Sequence, residues 1–359
     1  MYRENWRSAR ASRYDLHVKP RVTLAWPDKP AVFAPERLAK GSAVLRARVG
    51  EAGELLFGDN LAAMRLLAAE ARESFTLAYL DPPFLTGRVH EAVDRTAGAK
   101  GAARERRDAF DDRWADRASY LDALGRRLAA VRELLAPHGS IVVHVDPKTS
   151  HYVKVLCDEI FGEECFASEI VWRYRRWPSK TPNFQRVHDV LLRYRKDATA
   201  PPRFCQLYEP LAASTLATWG TKKQRAVFGA DGRRERSSSM SVATQGVPMG
   251  DVWDIGVIAP VARERTGYPS QKPEALLERL VRALTAPGDR ILDPYAGSGT
   301  TLVVAARLGR GFVGIDRSDV AKETIQSRLA QAGVTDDGPR AGEESPRRAP
   351  RRCIGEGRR

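Results

Sequence analysis

An α/β fold with a doubly wound, mainly parallel sheet is predicted by three observations. From residue 54 onward, short apolar segments of strand length alternate with segments of helical periodicity. Two of the strand-like segments run directly into turns that carry an acid, Asp81-Pro82-Pro83 and Asp293-Pro294-Tyr295-Ala296-Gly297. At 359 residues with 43% hydrophobic content the chain can bury a full core. Its longest apolar stretches are strand-length and fall well below the ~18 residues that cross a bilayer, so no membrane partner is expected.

In chain order, residues 1–50 are basic, proline-punctuated and without sustained periodicity, and read as an N-terminal arm. Its first residues mix Arg with Glu4 and Trp6 and have no apolar core, which points to a cytoplasmic protein. Residues 55–57 predict a strand, 60–71 a helix and 76–80 a strand that Pro82 and Pro83 end, since neither donates to a ladder. Residues 87–116 are rich in Gly, Ala, Arg and Asp and read as a mobile loop and candidate lid. Leu121, Leu124, Leu128, Val131 and Leu135 predict a helix over 120–135, with Gly139 as its stop signal, then a buried strand over 140–145. A helix over 151–161 and a strand over 189–194 follow. Pro273 introduces a helix over 274–284, and after it come a strand at 290–292, a turn at 293–297, a helix at 299–308 and a strand at 311–315. Residues 334–359 are Arg/Pro/Gly/Glu-rich and read as a disordered tail.

The net charge of +14 favours a polyanionic partner, with nucleic acid the first candidate. The charge is concentrated. Arg173, Arg175, Arg176, Lys180, Arg186, Arg193, Arg195 and Lys196 stand against Asp189 alone, interleaved with Trp172, Tyr174, Trp177, Phe184 and Tyr194. Cations mixed with aromatics suit phosphate contact and base stacking together. A second cluster containing Lys222, Lys223 and Arg225 reads as an exposed loop system. The four cysteines show no C-x-x-C spacing, and no metal site is expected.

Two segments carry chemistry. In the first, an apolar strand enters a glycine-bearing turn, Asp293 to Gly299, and then a helix that starts with Thr300 and Thr301. Glycine lets a ligand approach the backbone, and the free N–H groups of the helix start favour an anionic group. A P-loop would need Lys after its last glycine, where Thr300 stands. A dinucleotide fingerprint would need a third small residue where Leu302 stands. S-adenosylmethionine, with its carboxylate and ammonium, matches the N–H donors together with Asp293, and Asp316 at the next strand end suits the ribose hydroxyls. In the second segment, Asp81-Pro82-Pro83-Phe84, a carboxylate, the Pro82 carbonyl and an aromatic face suit a planar amine that has left its stack. His144, His151 and His188 read as packing or hydrogen-bonding residues. Asp146 either lines the crevice or caps the following helix.

With these motifs in this order, the chain resembles the permuted β class of amino-group DNA methyltransferases, in which the Asp-Pro-Pro-aromatic segment precedes the glycine segment. Phe57-Gly58-Asp59-Asn60 resembles the family's segment near the cofactor, and Gly267-Tyr268-Pro269-Ser270-Gln271-Lys272-Pro273 resembles its G-Y-P-T-Q-K-P element. Val187-His188-Asp189-Val190 resembles the strand after the family's basic Trp-Arg region. The resemblance spans roughly residues 54–330 and implies a circularly permuted Rossmann-like methyltransferase fold. Its parts would be a catalytic half at 51–200, a small target-recognition insertion at 201–264 and a cofactor half at 265–333.

The implied activity is site-specific transfer of a methyl group from S-adenosylmethionine to N6 of a flipped adenine in double-stranded DNA, in a restriction-modification or epigenetic marking system. Asp at the first motif position resembles the adenine enzymes, whereas Ser would resemble those acting on cytosine N4. N4-cytosine transfer, and a non-catalytic DNA-binding subunit of a restriction-modification complex, are the alternatives. The implied catalytic residues are Asp81, Pro82, Pro83 and Phe84. Asp59, Asn60, Ser270, Gln271, Lys272, Pro273, the run Asp293, Pro294, Tyr295, Ala296, Gly297, Ser298, Gly299, Thr300 and Thr301, and Asp316 would hold the cofactor. Arg173, Arg175, Arg176, Lys180, Arg186, Lys222, Lys223 and Arg225 would meet DNA. The resemblance also leaves room for a homodimer and a cognate restriction endonuclease. One departure stands out: the family often has Asn-Thr-Gly after the aromatic, where this chain has Leu85-Thr86-Gly87.

Overall fold

The computed structural model describes residues 22–334 apart from 31–32, 34–43, 51–52, 94–105, 178–179, 181, 220–225, 229, 232 and 237–243. In order these form β1 (Leu45–Val49), β2 (Gly53–Phe57), α1 (Asn60–Glu70), β3 (Phe75–Leu80), β4 (Val89–Val93), β5 (Arg106–Asp111), α2 (Arg117–Leu134), β6 (Leu135–Val145) and α3 (Ser150–Phe161). The middle of the chain holds β7 (Phe166–Arg173), β8 (His188–Arg195), β9 (Tyr208–Glu209), α4 (Ala213–Trp219), β10 (Ala226–Phe228), β11 (Arg234–Arg236), β12 (Val247–Pro248) and β13 (Val252–Asp254). Last come α5 (Glu274–Leu284), β14 (Arg290–Asp293), α6 (Thr300–Arg307), β15 (Gly311–Asp316) and α7 (Asp319–Gln331).

Nine strands form one sheet in the order β1-β2-β15-β14-β3-β6-β8-β7-β13. The five from β2 to β6 run parallel, while β1 and β8 are antiparallel to their neighbours. Strands β14 and β15, late in the chain, are inserted between the early strands β2 and β3. This topology bears out the mainly parallel α/β expectation and carries out the permutation the motif order implies.

The sheet is covered on both faces because its strands alternate with period two. Ala78 and Leu80 of β3, with Ile141, Val143 and Val145 of β6, pack with Met64, Leu67, Leu128 and Val153 of α1, α2 and α3. Leu77, Tyr79 and Val142 face the other way, onto Leu276, Leu280, Val304, Ile325 and Leu329 of α5, α6 and α7.

Several expectations differ from the structure. The segment 87–116 contains the antiparallel pair β4 and β5, joined to the body where Val93 N–H donates to the Gly267 carbonyl (3.1 Å) and Arg107 grips Glu323 with two bonds (2.8 and 3.0 Å). Few large apolar residues suggested a loop there, yet ladder and ion-pair contacts order its two flanks; residues 94–105 lie outside the described residues. Gly139 is not a helix stop: α2 ends at Leu134, and Gly139 lies within β6, where an added Cβ would sit 2.8 Å from the Phe75 carbonyl oxygen. The basic arm contributes β1 to the sheet and a buried Phe33 to the core. The segment 201–264 contributes β13, which pairs in parallel with β7, so it is not wholly separate from the main sheet. The tail from 335 onward falls outside the described residues.

Candidate active site

The carboxyl ends of three neighbouring parallel strands meet at one cleft, the place where open α/β sheets hold their ligands. Asp81 directly follows β3, and Asp293 and Asp316 are the last residues of β14 and β15. All three line the cleft, together with Asp59, Asn60, Pro82, Pro83, Phe84, Ser270, Gln271, Lys272, Pro294, Tyr295, Ala296, Gly297, Ser298, Thr300 and Thr301. Of the residues expected at the catalytic and cofactor sites, only Pro273 and Gly299 do not line it. Pro273 caps α5, and Gly299 turns the chain into α6.

The glycine turn is held from several sides. Tyr295 N–H donates to Asp293 Oδ1 (3.0 Å), Ala296 N–H to the Ile315 carbonyl (3.0 Å) and Gly297 N–H to Asp316 Oδ2 (2.8 Å). Gly299 adopts φ +74°, and a Cβ there would lie 2.9 Å from Ile325 Cγ1 of α7, so both the backbone and the close approach require glycine. Buried Arg328 donates to the Ser298 carbonyl (3.0 Å), Thr300 Oγ1 (2.8 Å) and Glu274 (2.7 Å), tying α7, the turn and α5 together.

Burial raises the carboxyl pKa values on this side of the cleft. It pushes the Asp293 carboxyl up to about 7, with the charges of Asp81 and Asp316 adding to the effect and the Thr301 and Tyr295 hydrogen bonds opposing it. Asp316 is raised in the same way, chiefly by burial. A buried cluster of acids of this kind favours a cationic ligand, which would restore the ionised form of each.

On the opposite wall, Lys272 Nζ forms an ion pair with Asp81 Oδ2 and lies 5.1 Å from the centre of the Phe84 ring. It was expected among the cofactor residues, and its ammonium in fact links that group to the Asp-Pro-Pro-Phe segment. Asp81 Oδ1 is buried and has no hydrogen-bond partner among the described residues. Behind Phe84 lies buried His144, 5.9 Å away between ring centres. Tyr79 Oη lies 2.8 Å from His144 Nδ1, His144 Nε2 lies 3.4 Å from Asp189 Oδ2, and the Tyr174 hydroxyl donates to Asp189 Oδ1 (3.0 Å). Burial lowers the His144 pKa, so the ring is neutral near pH 7 and braces the wall, in keeping with a packing role. Asp146 is not among the residues that line the cleft, and its carboxylate accepts from Lys148 N–H (3.1 Å) and Thr149 N–H (3.0 Å) in the turn before α3, whose N-cap Thr149 makes no side-chain cap bond.

Asp59 caps α1 through Ala62 N–H (3.0 Å), and Asn60 Nδ2 donates to the Pro294 carbonyl (2.9 Å). Arg127 holds both side chains, at 3.1 and 2.6 Å. Gln271 Oε1 accepts from Thr266 N–H (2.8 Å), and Ser270 adopts φ +57°, so this loop is also shaped locally.

The basic window is only partly available to a partner. Arg193 is buried, Arg173 forms a two-bond ion pair with Asp254 (2.6 and 2.7 Å), Arg186 pairs with Asp146 (3.1 Å) and Arg176 donates to the Tyr174 hydroxyl (3.2 Å). Arg175 and Lys180 are exposed beside Trp177 and Phe184, on the loop that joins β7 to β8. Because Val145 at the end of β6 pairs with Val190, this loop leaves the sheet at the cleft's edge. Lys222, Lys223 and Arg225 lie outside the described residues. Tyr268 of the Gly267–Pro273 element lines the cleft as well, and so do Asp112, Arg127 and the stacked pair His90 and Phe110 (4.5 Å), for which the sequence singled out no role. They come from helix faces and from β4 and β5, where no local motif marks a residue as facing a ligand.

A glycine turn between buried strand-end acids, faced by a carboxylate-proline-proline-aromatic wall, is an arrangement suited to a group transferase with a cationic cofactor and a planar amine as acceptor. The chain belongs to the DNA methylase family, whose pattern matches residues 75–327. It is similar to the type II methyltransferase M.EcaI of Enterobacter cloacae, 28% identical over 324 residues, covering 77% of this chain and 69% of that one. The DNA adenine methyltransferase YhdJ of Escherichia coli (strain K12) is 29% identical over 285 residues, covering 79% and 84%. The type II methyltransferase M2.DpnII of Streptococcus pneumoniae is 27% identical over 280 residues, covering 76% and 88%.

Proposed function

We propose that this DNA methylase transfers a methyl group from S-adenosylmethionine to N6 of an adenine turned out of duplex DNA. The residues present fit that cofactor: Asp293, whose carboxyl burial pushes up to about 7, and Asp316 form an acidic pocket suited to a cation, and glycine opens the turn between them. When bound, the cofactor supplies an electrophilic methyl group on a sulfonium.

The observation that carries the substrate assignment is Asp81 Oδ1, a buried acceptor without a hydrogen-bond partner among the described residues, in the same cleft as Pro82 and Phe84. Asp81 and the Pro82 carbonyl accept the two N–H groups of the amine, turning its lone pair toward the methyl group. Phe84 stacks on the base, and Lys272 holds Asp81 Oδ2 so that Oδ1 stays directed at the amine. Transfer would form the N–CH3 bond as the S–CH3 bond of the sulfonium breaks, the bonding pair leaving on sulfur as a neutral thioether, and we assign the one proton lost from nitrogen to Asp81 Oδ1. The name of one relative, a DNA adenine methyltransferase, supports adenine as the base, and a type II methyltransferase among the relatives is the ground on which we propose a cognate restriction endonuclease as partner. A DNA substrate in turn implies the cytoplasm.

The test is methyl transfer from labelled S-adenosylmethionine to unmethylated genomic DNA, followed by nucleoside analysis. Label is expected in N6-methyladenine, and label in N4-methylcytosine would move the assignment to the other base. Asp81→Ala is expected to slow transfer by about 100- to 1000-fold while leaving cofactor affinity nearly unchanged. A matching loss of cofactor binding would remove Asp81 from the amine.

A further inference from the structure

We propose that Asp112 is a positioning residue for Phe84, its carboxylate filling a cup of three consecutive backbone N–H groups and so setting where the aromatic ring meets the target base. The proposal rests on the assignment of Phe84 to base stacking.

Asp112 is fully buried just beyond the end of β5, 28 residues along the chain from Phe84. Phe84 N–H donates to its Oδ2 (3.1 Å), Leu85 N–H to its Oδ1 (2.9 Å) and Thr86 N–H to its Oδ2 (2.8 Å). The Thr86 hydroxyl (2.6 Å) and the Trp114 indole N–H (3.2 Å) complete a set of five donors. Successive N–H groups converge on one anion when a residue between them enters the left-handed region. Leu85 does so, at φ +59°. A leucine there is strained by its Cβ, so the loop keeps this shape only while something holds it, and bonds to a carboxylate are roughly twice as strong as neutral ones. The main chain joins in: Gly87 N–H donates to the Asp112 carbonyl (3.1 Å), and Asp112 N–H donates to the Arg88 carbonyl (2.9 Å).

The Phe84 ring is otherwise bounded by Lys272 at 5.1 Å and His144 at 5.9 Å, and neither contact fixes its backbone. Asp112 supplies that anchor. With five donors to satisfy, it acts through the loop and not on the reacting atoms.

The test compares full-length wild type, Phe84→Ala, Asp112→Ala and the double variant in single-turnover transfer from labelled S-adenosylmethionine to unmethylated genomic DNA. Cofactor affinity is measured in parallel by calorimetric titration. Asp112→Ala is expected to slow transfer by about 100-fold, the loss a displacement of ~1 Å produces, with cofactor affinity held to within about 2-fold. The double variant should be no slower than Phe84→Ala, because both substitutions act through one ring. Additive losses, or a fall in cofactor affinity that parallels the rate, would overturn the proposal and leave Asp112 as a general support of the cleft. A slow Phe84→Ala with additive losses sinks the role of Asp112 alone, whereas a wild-type rate for Phe84→Ala removes the base-stacking assignment and this inference with it. If Asp112→Ala fails to fold, Asp112→Asn carries the same cycle. It keeps the side chain's shape but turns an amide NH2 toward the backbone donors, and about a 10-fold loss is expected.

Discussion

The glycine turn between β14 and α6 is held by two strand-end acids, by the close packing of Ile325 and by buried Arg328. The loop between β7 and β8, which leaves the sheet at the same end as the cleft, instead presents Trp177 at 90% and Phe184 at 99% exposure, with Arg175 and Lys180 also exposed. One rim is prepaid in packing and hydrogen bonds, as suits a cofactor of constant shape. The other carries exposed apolar and cationic surface, a combination suited to a nucleic acid's bases and backbone.

The comparison is sharpened most by Asp293→Asn on the ordered rim. Removing a buried charge that faces a cationic ligand is expected to cost about 2–5 kcal/mol of cofactor affinity, read by calorimetric titration, whereas affinity for nonspecific DNA should not move. The pH dependence follows from the raised carboxyl. Near pH 4 an unfolded aspartate already loses its proton, while folded Asp293 keeps it until about pH 7. Its contribution to stability is therefore present at low pH and declines as pH rises through that window. Cofactor affinity, which needs the ionised form, should rise over the same range. Asp293→Asn should flatten both curves relative to wild type, and parallel curves would show that another group titrates.

Gly299→Ala should come next, destabilising the fold by about 2–4 kcal/mol through left-handed backbone strain and overlap with Ile325; thermal denaturation checks it. Trp177→Ala and Phe184→Ala should have the smallest effects: stability within about 0.5 kcal/mol of wild type, and DNA affinity weaker by about 1–3 kcal/mol for each side chain that stacks on a base. Melting together with DNA titration decides this. A large loss of stability in either exposed-aromatic variant would break the distinction between the two rims.

Much of the ordered rim was legible in the sequence. The strand, the acid and the glycines that form it are contiguous from Ile291 to Thr301, and Asp316 ends the next strand in both chain and sheet. The Asp81 wall was legible for the same reason, since two prolines must end a strand wherever it packs. Other features were not. The partner of Lys272 is 191 residues away in sequence, and Asp112 reaches its three donors from the end of β5. The basic window looked uniform in composition, yet Arg193 lies in the core and Arg173 and Arg186 are engaged by Asp254 and Asp146.

The permutation was implied by a family resemblance in the order of two motifs, whereas periodicity and the placement of proline and glycine were enough to indicate the class of fold and the two sides of the cleft. Each of these depends on residues within one turn or strand of each other, where backbone sterics and burial act locally. Which oxygen of Asp81 stays free, how high the Asp293 carboxyl is pushed, what supports Phe84 and which arginines still face outward became definite only on folding. Those properties arise from desolvation and from contacts between distant segments, and they have no counterpart in the order of residues along the chain.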